Sequence, residues 1–396
     1  RLGFGDWIQL ASLHRPELKY PPFEATSTWV DEDAESIFAE LRSRDRMVHH
    51  PFQSFGAVEA FLRAAVSDPQ VLGIKMTLYR IGANSPMIDL LLTAADEGKQ
   101  VAVLVELKAR FDERNNIQWA QRLEAAGVHV VYGLLNLKTH CKLCLVVRKE
   151  AEGIRRYAHL GTGNYNATTS RLYTDLGLFT SRDTIVEDAS DLFNYLTGYS
   201  NQHQYRELLV APVSLRSSLT QLIAREAAAA EAGQPSGIVI KVNAVTDPEM
   251  VRHLYRASQA GVVIQLLVRG VCILRPGVPG ISDNISVRSI IGRFLEHSRL
   301  FWFANGGDPC LYIGSADIME RNLDRRVEVL CPIRDVKLAT YLRDVVLAAY
   351  LRDTRRGQVL AATGEYGPDP EAPVGQALSA QDLLLDWHAA EAKTDW

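Results

Sequence analysis

Two short stretches, His140-Cys141-Lys142 and His297-Ser298-Arg299, each place a histidine and a cation two residues apart. On a strand such a pair shares one face, because successive side chains alternate. Each stretch is followed by an apolar run and then by a turn of one pattern, Gly161-Thr162-Gly163-Asn164 in the first case and Gly314-Ser315-Ala316-Asp317 in the second. These residue types suit phosphoryl transfer. A histidine is largely neutral near pH 7, so a ring nitrogen can attack phosphorus and divide one displacement into two easier ones. The lysine or arginine neutralises phosphoryl oxygens, while Thr162, Asn164, Ser315 and the backbone N–H groups of the turns can donate hydrogen bonds to them. Two copies supply two histidines, one to attack and one to protonate the leaving group. One His-x-Lys alone reads as a solvated strand end; both elements recurring in the same order turn the reading towards catalysis.

The surrounding sequence predicts the elements that position these residues. The runs "VLGIKMTLYRI", "MIDLLLTAADEG", "VAVLVELKARF", "NIQWAQRLEAAG" and "VHVVYGLL" alternate between strand and helix patterns. That alternation, with near-continuous apolar strands, predicts an α/β fold with mostly parallel sheets covered on both faces. The stretch "GIVIKVNAVTDPEMVRHLYRASQAGVVIQLLVRGV" repeats the scheme, so the two halves read as an internal duplication. A helix and Gly/Pro/Ser linker in "SSLTQLIAREAAAAEAGQPSG" mark the boundary between them. The expected organisation is a remnant of an upstream linker or domain over 1–26, a first catalytic domain over 27–213, a second over 214–362, and a tail over 363–396 whose short helix Ser379 caps. The chain opens "RLGFGDWIQL" without a methionine, so further protein is expected upstream.

Arg80, Arg110 and Arg269 end three of the strand runs. In open α/β sheets ligands sit beyond the carboxyl ends of strands, so the three arginines read as a phosphate cradle. Tyr173 either stacks on a base or packs in the core. The neighbours His49 and His50 diverge in most backbones and read as loop or helix-start residues rather than metal ligands. Strand alternation over 140–148 sends Cys141 and Cys144 to opposite faces, so they read as buried thiols and not a chelating pair. No GxxxxGK[ST] occurs, which excludes a P-loop kinase. The net charge of −4, from 43 basic and 47 acidic residues, gives no global field to attract nucleic acid. No membrane-spanning apolar run and no secretory signal is present in the sequence, so a cytoplasmic location is the default.

At these residues the sequence resembles the large polyphosphate kinase family, and more distantly the phospholipase D superfamily with its paired HxK motifs. The resemblance rests on "HHPFQSF", "KMTLYR", "ELKARFDERNNIQWAQRLEAAGVHVVYG", "KTHCK", "HLGTGNYN", "LYTDLGLFT", "LVRGVC", "GRFLEHSR" and "YIGSADIMERNLDRRVEV". It implies two phospholipase D-like domains and reversible transfer of the ATP γ-phosphate to inorganic polyphosphate through a phosphohistidine. It also implies roles: His140 is the phosphorylated histidine, His297 the second and nucleotide-contacting one, Lys142 a catalytic cation, and Tyr173 and Arg269 nucleotide-binding. Arg80 and Arg110 match positions recorded with magnesium; a guanidinium cannot ligate a cation, so they read as holding the phosphates that carry Mg²⁺. Lys142, Asn164, Arg299 and Ser315 complete the expected phosphate-binding set. The expected partners are polyphosphate and an adenine nucleotide, with a homo-oligomer and peripheral association with the inner membrane face in the full-length form. Two departures stand out. Arg299 occupies the usual lysine position, and neither motif is followed four residues on by the aspartate of the HKD pattern. The alternatives are a phosphodiesterase or phosphatidyltransferase on the same fold, and a chain that binds nucleotide or polyphosphate without turnover.

Overall fold

The computed structural model describes residues 4–27, 29, 32–81, 85–107, 109, 113–134, 136–198, 200, 204–370, 372 and 377–391. The first half contains β1 (Arg46–His50), β2 (Val71–Leu78), β3 (Gln100–Val105), β4 (His129–Val131), β5 (Lys138–Thr139), β6 (Lys142–Glu150), β7 (Gly153–Gly161) and β8 (Tyr173–Thr180). The second half begins with β9 (Leu209–Ala211) and continues with β10 (Ile238–Val242), β11 (Ile264–Val268), β12 (Ile285–Ile290), β13 (Leu295–Glu296), β14 (Arg299–Phe303), β15 (Cys310–Gly314) and β16 (Arg326–Pro332), with β17 (Gly357–Leu360) and β18 (Tyr366–Pro368) at its edge. The helices before the C-terminal region are α1 (Phe4–Ser12), α2 (Ala34–Ser43), α3 (Gly56–Ser67), α4 (Pro86–Asp96), α5 (Glu113–Ala125), α6 (Asp183–Leu196), α7 (Leu215–Glu231) and α8 (Pro248–Gln259).

This is the α/β architecture that the sequence predicts, with one refinement to the sheets. The helical crossovers α4 and α5 make β2, β3 and β4 parallel, α8 does the same for β10 and β11, and a crossover without a helix brings β12 parallel to β11. The strands after each crossover unit are hairpins and run antiparallel, β2 to β6 to β7 to β8 and β10 to β14 to β15 to β16. Both sheets are therefore mixed. Local chemistry explains the crossover helices: Pro86 sits in the first turn of α4, and Asp247 caps α8 by accepting from Met250 N, with Pro248 as its first residue.

Three apolar clusters layer the molecule. One lies between the first sheet and α2 to α5, built from Ile74, Met76, Val103, Val146 and Phe61. A second lies between the other sheet and α7 and α8, with Leu219, Leu254, Ile240 and Leu266. The central one joins the halves, packing Leu143, Leu145 and Leu160 against Leu300, Ile313, Val327 and Val329. Each such side chain contributes about 1.5–3 kcal/mol relative to exposure. Cys141 belongs to the central cluster and Cys144 to the first, so the two thiols lie on opposite faces and are free.

The two-residue strands β5 and β13 determine the site. β5 pairs in parallel with β16 of the other half, Lys138 opposite Arg326 and Thr139 opposite Val327. β13 pairs in parallel with β8, Leu295 opposite Tyr173 and Glu296 opposite Thr174. Each half thus lends a strand to its neighbour immediately before its histidine. The strand expected to begin at residue 140 begins instead at Lys142, because His140 N and Cys141 N both donate to Val327 O, at 2.9 and 3.0 Å, while the chain passes from one sheet to the other.

Candidate active site

His140 is 9% exposed, at the crossing between β5 and β6. Its Nδ1 lies 2.9 Å from Oε2 of Glu328, which the neighbouring strand β16 supplies from the opposite half. Ser315 Oγ donates to the same oxygen, and Val329 N donates to Ser315 Oγ at 3.2 Å. When Glu328 is ionised it only accepts, and in that state Nδ1 carries the proton and Nε2 keeps its lone pair. Burial, reinforced by the charges of Lys142, Arg326 and Arg299, holds the imidazole well below its usual pKa. Burial also pushes Glu328 up to about 7 and Lys142 down to about 7, each tempered by the other's charge.

The second frame repeats the first. His297 Nδ1 lies 2.8 Å from Asp175 Oδ1, and Asp175 is carried by β8 of the first half. Thr162 Oγ donates to Oδ1 at 2.6 Å, and Leu176 N donates to Thr162 Oγ at 2.9 Å. Burial would raise Asp175, but the charge and hydrogen bond of His297, with Thr162 and Arg299, outweigh it and hold the carboxyl below its usual range. Burial pushes His297 down to about 4. Glycine is needed at two points in the turns. A Cβ at Gly163 would sit 2.3 Å from Asp175 Oδ2, and one at Gly314 would sit 2.0 Å from Val329 O. The charge of Arg299 acts on His140 and that of Lys142 on His297, so each motif's cation lies near the other motif's histidine.

The cations divide into committed and available groups. Lys142 Nζ donates to the carbonyl of His140. The Arg299 guanidinium is held by Asp317, with Nε 3.2 Å from Oδ1 and Nη2 3.3 Å from Oδ2, and its Nη1 reaches His297 O at 2.7 Å and His297 Nε2 at 3.1 Å. Tyr79 stands edge-on to His140, with ring centroids 4.9 Å apart. Three cations lie within 6 Å of that ring centre: Arg80 at 5.6 Å, Lys138 at 5.2 Å and Lys142 at 5.4 Å. Among the described residues, the guanidinium groups of Arg80 and Arg269 make no hydrogen bond or ion pair. Arg269 follows β11 directly and is half-buried, near Tyr173 and close enough to Arg299 and Asp317 for their charges to act on it. The Tyr173 ring centroid is 5.2 Å from that of His297.

The structure thus gathers Lys142 and Arg80 about His140, and Arg299 and Tyr173, with Arg269 beyond them, about His297. Arg110 lies outside the described residues. The Thr162 and Ser315 hydroxyls, expected to bind phosphate, donate in this structure to Asp175 and Glu328, the carboxylates that face the two histidines. Asn164 lies behind Asp175 in a small cavity shared with His50 and His159, and its Oδ1 is buried without a partner. Among the described residues the rings of His49 and His50 have different hydrogen-bond partners. His49 Nδ1 is 2.7 Å from Tyr341 OH, and His50 Nδ1 donates to Gln53 O at 2.8 Å. Asp175, Glu328 and Tyr79 were not singled out from the sequence. The available signal was a lone carboxylate inside an apolar strand, in "YTDLGLF" and "RVEVLC". Among the described residues no group of three or more His, Cys, Asp or Glu is arranged to hold a metal, and no helix is long and apolar enough to cross a membrane.

Comparison with known proteins fits this geometry. Residues 36–202 match the model of polyphosphate kinase C-terminal domain 1, and residues 208–381 that of polyphosphate kinase C-terminal domain 2. A polyphosphate kinase of Streptomyces coelicolor is 56% identical over 334 residues, covering 83% of this chain and 45% of the relative. One of Thermosynechococcus vestitus is 61% identical over 303 residues, 76% of this chain and 41% of the relative. The crystal structure of polyphosphate kinase from Porphyromonas gingivalis superposes with a TM-score of 0.88 at 33% identity, covering 98% of this chain and 59% of that one. A phosphatidylserine synthase of Haemophilus influenzae shares the fold, with a TM-score of 0.55 at 10% identity over 91% of this chain and 98% of its own. The chain spans about half the length of the curated relatives it matches. On the two family models and these identities, the chain belongs to the polyphosphate kinase family.

Proposed function

We propose that this chain carries the phosphoryl-transfer centre of a polyphosphate kinase, moving the ATP γ-phosphate to inorganic polyphosphate through a phosphohistidine at His140. The observation that supports this most strongly is the His140 frame: Nδ1 is tied to buried Glu328, Nε2 is left with its lone pair, and Lys142, Lys138 and Arg80 are gathered nearby. In the first step an Nε2–P bond forms, the bond from the γ-phosphorus to the bridging oxygen breaks, and its electron pair leaves with ADP. In the second, a terminal polyphosphate oxygen attacks phosphorus and the N–P bond breaks. Glu328 holds the Nδ1 proton throughout and stabilises the positive charge that develops on the ring, as an orienting carboxylate does for a catalytic histidine.

Arg80, Arg110 and Lys142 are assigned to the phosphoryl oxygens, where positive charge stabilises a transition state with charge spread over them. Tyr173 and Arg269 are assigned to the nucleotide, Tyr173 as a face for the base beside His297. Arg299 completes the polar lining. Mg²⁺ would arrive on the nucleotide phosphates and neutralise part of their charge, since the arginines at the matching positions bind oxygens and not cations. In the longer protein, homo-oligomerisation and contact with the inner membrane face belong to the same reading.

The test is to incubate the purified chain with γ-labelled ATP and Mg²⁺. Acid-labile, base-stable label in the wild type and none in His140→Ala is the expected result. Bound ADP with no label in the wild type would show that this chain binds without turnover.

A further inference from the structure

The duplicated frames would leave two equivalent nucleophiles, because each histidine presents Nδ1 to a carboxylate and directs Nε2 away from it. The equivalence fails at one position, two residues on. Lys142 reaches only the carbonyl of His140 and no ring nitrogen. Arg299 is forked: two of its nitrogens are fixed on Asp317, and the third reaches both the carbonyl and Nε2 of His297. A guanidinium only donates, so Nε2 of His297 must accept, and the lone pair that would attack phosphorus is already engaged. Among the described residues His140 Nε2 makes no such contact.

We propose that Arg299 assigns the two histidines their roles, capping His297 Nε2 so that His297 is withheld from phosphorylation and His140 is the sole nucleophile. This rests on the phosphohistidine reading above and adds the residue that decides which histidine is used. The cap is a charge-assisted hydrogen bond in a buried site, and giving it up for attack lowers the rate at His297 by roughly tenfold to a hundredfold. With the fork removed, His297 should form the same Nε2–P bond as the bond from the γ-phosphorus to the bridging oxygen breaks and that oxygen leaves on ADP, the Nδ1 proton staying on the ring and donated to Asp175.

The experiment compares labelling by γ-labelled ATP in wild type, His140→Ala and His140→Ala/Arg299→Lys, the lysine retaining a charge for Asp317. At least tenfold more acid-labile label in the double variant than in His140→Ala, on the peptide containing His297, is the expected result. Wild type labelled and the double variant as silent as His140→Ala would overturn the proposal. Lys142→Arg brings the fork to the first frame and should cut label on His140 at least tenfold; undiminished label there also overturns it. A nitrogen NMR titration of His297 separates this proposal from the reading it rests on. Arg299→Lys should raise the pKa of His297 by a unit or more whether or not the chain turns over, and an unmoved value rejects the cap even if His140 is phosphorylated.

Discussion

The two carboxylates are the residues on which the site turns, each holding a histidine at Nδ1. Glu328 fixes the tautomer of His140, with Ser315 fixing Glu328 in turn. Glutamine at 328 keeps the volume but loses the charge, and its amide can point N–H at Nδ1, which selects the unproductive tautomer. Glu328→Gln is therefore expected to slow labelling of His140 by roughly a hundredfold to ten-thousandfold with ATP binding nearly unchanged. Rapid-quench labelling would check this, and a loss smaller than tenfold would remove Glu328 from the orienting role. The histidines themselves could be read from the sequence because two weak signals recurred in order. Their partners could not, since a carboxylate in an apolar strand is informative only once the strand beside it is known.

Among the elements, the C-terminal helix Ala380–Glu391 is tied to the first half by a buried relay. His49 Nδ1 meets Tyr341 OH, which meets His388 Nε2 at 2.9 Å, and Phe52 stacks on the His388 ring. Burial holds His49 well below its usual pKa and pushes His388 down to about 3; His159 is likewise pushed down to about 3. A depressed folded pKa means that the unfolded chain binds protons the folded one refuses. The stability these neutral histidines allow is present above their unfolded pKa of about 6.5 and is lost as pH falls towards 3, at up to about 1.4 kcal/mol per pH unit for each group. Tm should therefore fall between pH 6.5 and 4.5, and His388→Phe should flatten that slope by one proton; an unchanged slope would mean that His388 is protonated in the folded state. The parallel cores were legible as elements, since continuous apolar runs separated by amphipathic helices have few other solutions. The borrowed strands β5 and β13 were not, because two residues carry no periodicity and their partners belong to the other half.

As a whole, the molecule behaves as one unit built from two incomplete ones. The central cluster draws side chains from both sheets, and each histidine is completed by the opposite half. A chain split in the segment before β9 should give two fragments that take no label apart, although the first contains His140, and that recover it when co-expressed. Label on the first fragment alone would show that Glu328 and Ser315 are dispensable. Calorimetry of the intact chain should record a single transition, because the halves share a core that neither can bury alone.

The borrowed strands also set a schedule for synthesis. His140 and its carboxylate are 188 residues apart in the chain, and His297 lies between them. At roughly 5–20 residues per second, about ten to forty seconds separate the emergence of the nucleophile from that of the residue that orients it. Throughout that interval the nascent chain carries a histidine whose tautomer is not selected, and the frame closes only once Glu328 has emerged.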